Sequence, residues 1–188
     1  MHIFLQGPKR TGKSTVIRKT LEILEAEMPL RLGGFFTWNG GEEDPHVYMR
    51  PARAGGADGS CRLASYDSVK GGFEVSNDAF ERYGTRILGE RAGAGLIIMD
   101  ELGFLESDAR AFIQAVSDVL DGDIPVLGVL RLGDVEWHKE IKRNPMVTLY
   151  DINIENRDDM PQELAVLLKP MISRAKGGTK PGVGVVTE

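Results

Sequence analysis

A single cysteine, Cys61, stands in the 188 residues. A lone thiol cannot close an internal disulfide, excludes a zinc site built on cysteines, and fits a reducing compartment. No stretch approaches the ~18 consecutive apolar residues that a membrane helix needs. The first ten residues, MHIFLQGPKR, pass from a short apolar run straight into a glycine loop. They lack the charged start, long apolar segment and small-residue cleavage site of a signal peptide, so a cytoplasmic protein is expected. An excess of basic charge is missing too: 23 basic residues meet 28 acidic ones, for a net charge of -5. That balance gives no general attraction to nucleic acid or an anionic membrane, and neither is expected as a partner. His46 and His138 lie far from any matching ligand cluster and Cys61 has no partner motif for a nucleophile, so none is assigned chemistry.

What remains is an ordinary globular composition, 41% apolar and 27% charged. The length suits one domain, read as residues 1–175, followed by a Gly- and Pro-containing tail, 176–188, expected to be flexible. Oligomeric state is left open, and a monomer is compatible with the sequence.

His2 to Gln6 reads as a short apolar strand, and Val16, Ile17, Leu21, Leu24 and Met28 follow at helical spacing. From about Gly34 to Tyr66, the β-prone pieces GFFTW, VYMR and RLASY alternate with turn-rich segments, which predicts an antiparallel excursion. Trp38 there is expected to pack the hairpin. Helices and strands then alternate: a helix from Asn77 to Glu90, a strand from Leu96 to Met99, and a helix from a Ser107 cap to Leu120. A strand from Pro125 to Leu130, a helix from an Asp134 cap to Arg143, a strand from Met146 to Ile152 and a helix from Pro161 to Arg174 complete the pattern. Such alternation means parallel crossovers, and the apolar strands LIIM and VLGVL suit burial on both faces. The fold class is therefore α/β, a doubly wound, mainly parallel sheet with a small antiparallel β insertion.

Gly7-Pro8-Lys9-Arg10-Thr11-Gly12-Lys13-Ser14 fits the P-loop pattern G-x-x-x-x-G-K-[ST] between a strand and a helix. Glycines let successive N–H groups converge on an anion, and the helix adds its positive end. Lys13 is expected on the β- and γ-phosphates and the Ser14 hydroxyl on Mg2+. Thr15 is a first-turn residue or an α-phosphate contact. Lys9 and Arg10 either touch phosphate or are solvated at the loop tip, the latter favoured for Lys9. Leu96 to Glu101 is an apolar strand ending in two carboxylates: Asp100 is placed beside the cation, and Glu101 is free to polarise an attacking water. Glu106 either faces the site or favours the positive start of the following helix.

Arg131 ends the strand PVLGVLR at the sheet edge where ligands of open α/β sheets bind. It either senses the γ-phosphate or pairs with a neighbouring acid. Lys139, Lys142 and Arg143 form a basic lid or, as the safer assumption, a solvated helix. Arg157, in Asn156-Arg157-Asp158, either reaches the nucleotide or belongs to a turn into the last helix.

Four segments at similar spacing resemble the P-loop nucleoside-triphosphatase family that includes the cancer-related nucleoside-triphosphatase. They are the P-loop, Gly34-Phe35-Phe36-Thr37, the run Asp100-Glu101-Leu102-Gly103-Phe104-Leu105-Glu106, and Asn156-Arg157-Asp158. The resemblance implies magnesium-dependent hydrolysis of several ribonucleoside triphosphates to diphosphates, with roles on Lys13, Ser14, Asp100 and Glu101. Two departures are visible: Pro8 comes early with Lys9-Arg10 inside the loop, and Phe104 stands where the family usually has a lysine. Hydrolysis is the leading reading. A nucleotide or small-molecule kinase and a nucleotide-dependent switch are the alternatives.

Overall fold

The computed structural model describes residues 1–41, 43–53 and 59–177. The chain opens with strand β1 (His2–Gln6) and helix α1 (Lys13–Glu27), then strands β2 (Leu32–Asn39), β3 (His46–Pro51), β4 (Cys61–Asp67) and β5 (Gly72–Val75). A π-helical turn (Ala79–Gly84) runs into helix α2 (Thr85–Gly89). Strand β6 (Leu96–Leu102), helix α3 (Arg110–Leu120), strand β7 (Val126–Leu130), helix α4 (His138–Arg143), strand β8 (Val147–Asp151) and helix α5 (Met160–Gly177) follow.

All eight strands share one sheet, in the order β5-β4-β3-β2-β6-β7-β1-β8. From β2 to β8 every pairing is parallel, and from β2 to β5 every pairing is antiparallel. Thus β2 joins a parallel half to an antiparallel wing.

Side chains alternate across a strand, and here the alternation divides the core in two. Ile3, Leu5, Leu96, Ile98, Leu127 and Val129 pack under α1 and α5. Their neighbours Phe4, Ile97, Met99, Val126 and Leu130 pack on the opposite face, under α2, α3 and α4. The continuous apolar runs are the consequence of this double cover. In α1, Val16, Ile17, Thr20, Leu21 and Leu24 are buried, the stripe that a 3.6-residue period produces. At the seam, Gly34 has φ 80, and a Cβ there would overlap the carbonyl oxygen of Ile98 on β6. Only glycine permits this approach of the two strands.

Several expectations need correction. The antiparallel excursion expected from about Gly34 to Tyr66 is present with wider bounds: β2 starts at Leu32 and pairs with β6, and the wing continues to β5, a strand of four residues that turn signals alone did not reveal. The helix read over 77–90 is a π-helical turn followed by a short α-helix. Strand β6 runs on through both acids to Leu102, with a cis peptide between Asp100 and Glu101.

Ser107 does not cap α3, because its hydroxyl donates to the Phe104 carbonyl (2.8 Å) and the helix begins at Arg110. Asp134 does not cap α4, which follows Trp137; its carboxylate lies 3.6 Å from the Lys139 ammonium. Helix α5 reaches Gly177, so the expected tail loses its first two residues, and 178–188 lie outside the described residues. Among the described residues, no helix is long and apolar enough to cross a membrane.

Candidate nucleotide site

The loop after β1 is built to bring backbone N–H groups together. Gly7 has φ 147, and a Cβ on it would overlap the Ile152 carbonyl oxygen just past β8. Arg10 and Gly12 also carry positive φ, 63 and 97, and alternation into the left-handed region curls successive N–H groups into a concave nest. Helix α1 then starts without a side-chain cap and without an acid in its first turn. Its first N–H groups and its positive dipole end are left to whatever anion enters.

Lys13 folds back over the loop, donating to the carbonyls of Gly7 (2.9 Å) and Pro8 (2.7 Å). Burial pulls its ammonium below the usual lysine range, while the charges of Glu101 and Asp100 oppose that fall. Thr11 is buried, with its hydroxyl on the Pro8 carbonyl (2.9 Å), so Thr11 and Pro8 brace the loop from within. A cleft of ≈ 510 Å³ takes in Gly7, Lys9, Arg10, Gly12, Lys13, Ser14 and Thr15, and its far wall includes Glu101 and Arg131.

The acids arrive from two strands away, since β7 lies between β1 and β6. The Ser14 hydroxyl nevertheless donates to Asp100 Oδ1 at 3.1 Å. Asp100 is only 3% exposed, and burial pushes its carboxyl up to about 6; the Ser14 hydroxyl opposes this, the Glu101 charge adds to it and Lys13 opposes it. Ser14 and Asp100 thus offer adjacent hard oxygens, as Mg2+ prefers. No group of three or more His, Cys, Asp or Glu able to hold a metal occurs among the described residues. This donor set fits a cation that takes its remaining ligands from phosphate and water.

The Glu101 backbone N–H donates to Thr37 Oγ1 at 3.1 Å, and the Arg131 guanidinium lies 3.5 Å from Glu101 Oε1. Of the two alternatives for Arg131, the ion pair is present, and its partner is the acid read as the base. The same guanidinium sits over the Phe104 ring, 4.7 Å from its centroid. Glu106 is buried, accepts the Gly103 N–H at 2.6 Å and is pushed up to about 7 by that burial. With α3 starting at Arg110, Glu106 faces a cavity next to Glu101 and not a helix end.

Arg157 does not line the cleft, but a Cβ placed on Gly12 would stand 3.6 Å from its Cδ. Lys139 pairs with Glu136 (2.6 Å), and Lys142 and Arg143 are exposed, while His138 and Ile141 form the buried side of α4; a solvated helix is what stands there. Trp38 stacks on Tyr48 across the hairpin (5.4 Å). Thr37, Asn39 and Phe73 were not singled out from the sequence as site residues, yet all three line the cavities around Glu101. Only Thr37 had a signal, in the GFFT segment, which reads locally as strand and nothing more.

Strand, glycine loop and helix, with an acidic strand end bonded to the loop's serine, define a P-loop NTPase fold. A profile of the NTPase family matches residues 2–165, and the chain belongs to that family. Similar curated proteins include the mouse cancer-related nucleoside-triphosphatase homolog, 28% identical over 89% of this chain and 96% of its own length. Another is nucleoside-triphosphatase THEP1 of Methanosarcina barkeri, 29% identical over 91% of this chain and 99% of the relative. The crystal structure of THEP1 from Aquifex aeolicus superposes with a TM-score of 0.73 at 26% identity, covering 90% and 99% of the two chains. The solution structure of a human cancer-related nucleoside triphosphatase, 22% identical with a TM-score of 0.72 over 90% and 97%, shares the fold.

Proposed function

We propose that this protein hydrolyses nucleoside 5'-triphosphates to diphosphate and phosphate with Mg2+, and that the chemistry takes place between the P-loop and β6. The observation that carries the reading is the Ser14–Asp100 hydrogen bond, which ties the phosphate loop to the acidic strand. It leaves the next residue, Glu101, on the wall of the same cleft.

The loop N–H groups hold the phosphates, with Gly7, Gly12 and the braces Pro8 and Thr11 fixing their direction. Lys13 exchanges its carbonyl partners for β- and γ-phosphate oxygens. Lys9, Arg10 and Thr15 border the phosphates, and Arg157 closes the loop's outer side near Gly12. Ser14 and Asp100 would hold the cation, which would supply neutralisation of phosphate charge. Glu101 orients a water in line with the γ-phosphorus and accepts its proton, a role typically worth ~100 to 10,000-fold in rate. Arg131, beside Glu101, offers its guanidinium to the charge that develops on the departing phosphoryl oxygens.

The test is phosphate release from ATP, GTP, CTP and UTP with Mg2+ and no added acceptor, for the wild type and Glu101→Gln. Release with several nucleotides is expected, and the variant should lose ~100-fold or more of it while still binding nucleotide. Nucleotide binding without phosphate release by the wild type would overturn hydrolysis as the main activity.

A further inference from the structure

Past Glu101 lies a second cavity of ≈ 310 Å³, between the antiparallel wing and the Gly103–Glu106 turn. It shares Ser14, Asn39, Phe73, Glu101 and Arg131 with the phosphate cleft but includes no loop residue before Ser14. Its phosphate-side edge, Ser14 and Asp100, belongs to the cation and the waters that complete its coordination, and the remainder runs from Glu101 to Val47, Leu63 and Phe80. The whole lies at the lower end of small-molecule sites, ~300 to 1,000 Å³, and exceeds what one attacking water needs.

Its lining limits what fits. Val47, Leu63 and Phe80 give an apolar floor, and the Phe73 and Phe104 rings stand 6.0 Å apart along one side. The charged groups are Asp100, Glu101 and Glu106 against Arg131 alone, and Arg131 already faces Glu101 and Phe104. An anionic ligand such as a nucleotide finds no unengaged cation in this lining. An ionised carboxylate at the Glu101 edge only accepts hydrogen bonds, so the ligand's polar end must donate. An amine would be protonated at neutral pH and lack the free electron pair for attack, whereas a hydroxyl donates and keeps one.

We propose that this cavity binds an uncharged, hydroxyl-bearing molecule with an aromatic body, of nucleoside size, and that the γ-phosphoryl group is transferred to its hydroxyl in competition with water. The proposal rests on the placement of the triphosphate in the P-loop. In the transfer, the hydroxyl oxygen forms a bond to the γ-phosphorus while the bond from that phosphorus to the β,γ-bridging oxygen breaks. The bridging electron pair leaves with the nucleoside diphosphate, and the hydroxyl proton passes to Glu101. Water takes the same position when the cavity holds no ligand, which makes hydrolysis the default outcome of one site.

The experiment gives the full chain γ-labelled ATP, Mg2+ and, in turn, adenosine, guanosine, cytidine, uridine and thymidine, and follows labelled nucleoside monophosphate, free phosphate and ADP. With at least one nucleoside, labelled monophosphate should appear and phosphate per ADP should fall at least ~2-fold, because a positioned acceptor competes through its effective molarity. Leu63→Phe, which fills the floor, should cut label transfer ~10-fold and leave phosphate release without nucleoside within ~2-fold. If that variant does not fold, Val47→Ile, one methyl group larger, should lower transfer in the same direction. Phosphate and ADP in equal amounts with every nucleoside, and no labelled product, would overturn the proposal and leave hydrolysis standing. Transfer that neither variant changes would overturn the cavity's part in it. Loss of phosphate release and transfer alike would remove the hydrolytic reading as well.

Discussion

The parallel half of the sheet and the antiparallel wing meet at β2 and are built on different terms. The central parallel strands β1, β6 and β7 are covered on both faces, so their side chains are committed to packing, and polar groups collect at their carboxyl ends, where Gly7 to Ser14, Asp100, Glu101 and Arg131 gather. Of the wing strands, β3 alternates between buried and more exposed positions, β4 buries only Leu63 and Ala64, and β5 buries none of its four residues. They contribute no ionised group to the phosphate cleft, only Phe73 of β5, and Asn39 joins it from the end of β2. On the proposed reading, the half that is most buried holds phosphate, and the wing shapes what lies beside it.

Substitutions can break that division or sharpen it. The largest effect is expected at Lys13→Ala, which should weaken nucleotide binding and reduce phosphate release by ~100-fold or more, measured by titration and by steady-state rates. A wing truncation with the same effect would show that the halves are not separate in function. Next comes the seam itself. Gly34→Ala forces a Cβ onto the Ile98 carbonyl at a positive φ and should cost about 2–4 kcal/mol in urea unfolding. An unchanged midpoint would mean that the two halves can part there without penalty.

A smaller effect depends on pH. Burial raises the Glu106 carboxyl from its ordinary 4.5 to about 7, so the folded protein holds a proton that the unfolded chain has released. Stability from this group is therefore complete below pH ~4.5 and is lost as pH rises through ~7. Glu106→Gln should remove that slope, changing the difference from wild type by about 1–3 kcal/mol between pH 4.5 and 8 in denaturant titrations. Parallel pH profiles would place the group in water. The smallest effect is expected at Thr37→Val, which strips the Glu101 N–H of its acceptor and should lower kcat ~3- to 10-fold with nucleotide affinity unchanged. Loss of affinity instead would assign Thr37 to the phosphate cleft.

The two halves also differ in how much of them can be read from the amino acids. In the parallel half, local signals coincide with tertiary ones: GPKRTGKS sits between a strand and a helix, and LIIMDE is a buried strand ending in acid, so the gathering of Lys13, Ser14, Asp100 and Glu101 at one sheet edge is legible. The wing depends on pairings between distant segments, and β5, four residues long, leaves no periodicity to detect. Thr37 has no chemistry until β2 is laid beside β6, 64 residues away. Ser107 shows the reverse failure, where a residue with cap chemistry spends its hydroxyl on a carbonyl three residues back and the helix starts later.

In the hydrogen-bond ladder, β2 is the strand through which the three-stranded wing is attached to the rest of the sheet. Packing braces it from one side, since Val47, Met49, Leu63 and Ala64 share a core cluster with Phe80, Ile87 and Phe112, which leaves β5 as the outer strand. Along the ladder, β5 and its Phe73 reach the parallel half by way of β4, β3 and then β2. Thr37 lies on β2, with the Glu101 N–H bonded to its hydroxyl, so the wing touches the backbone of the residue proposed to take the proton.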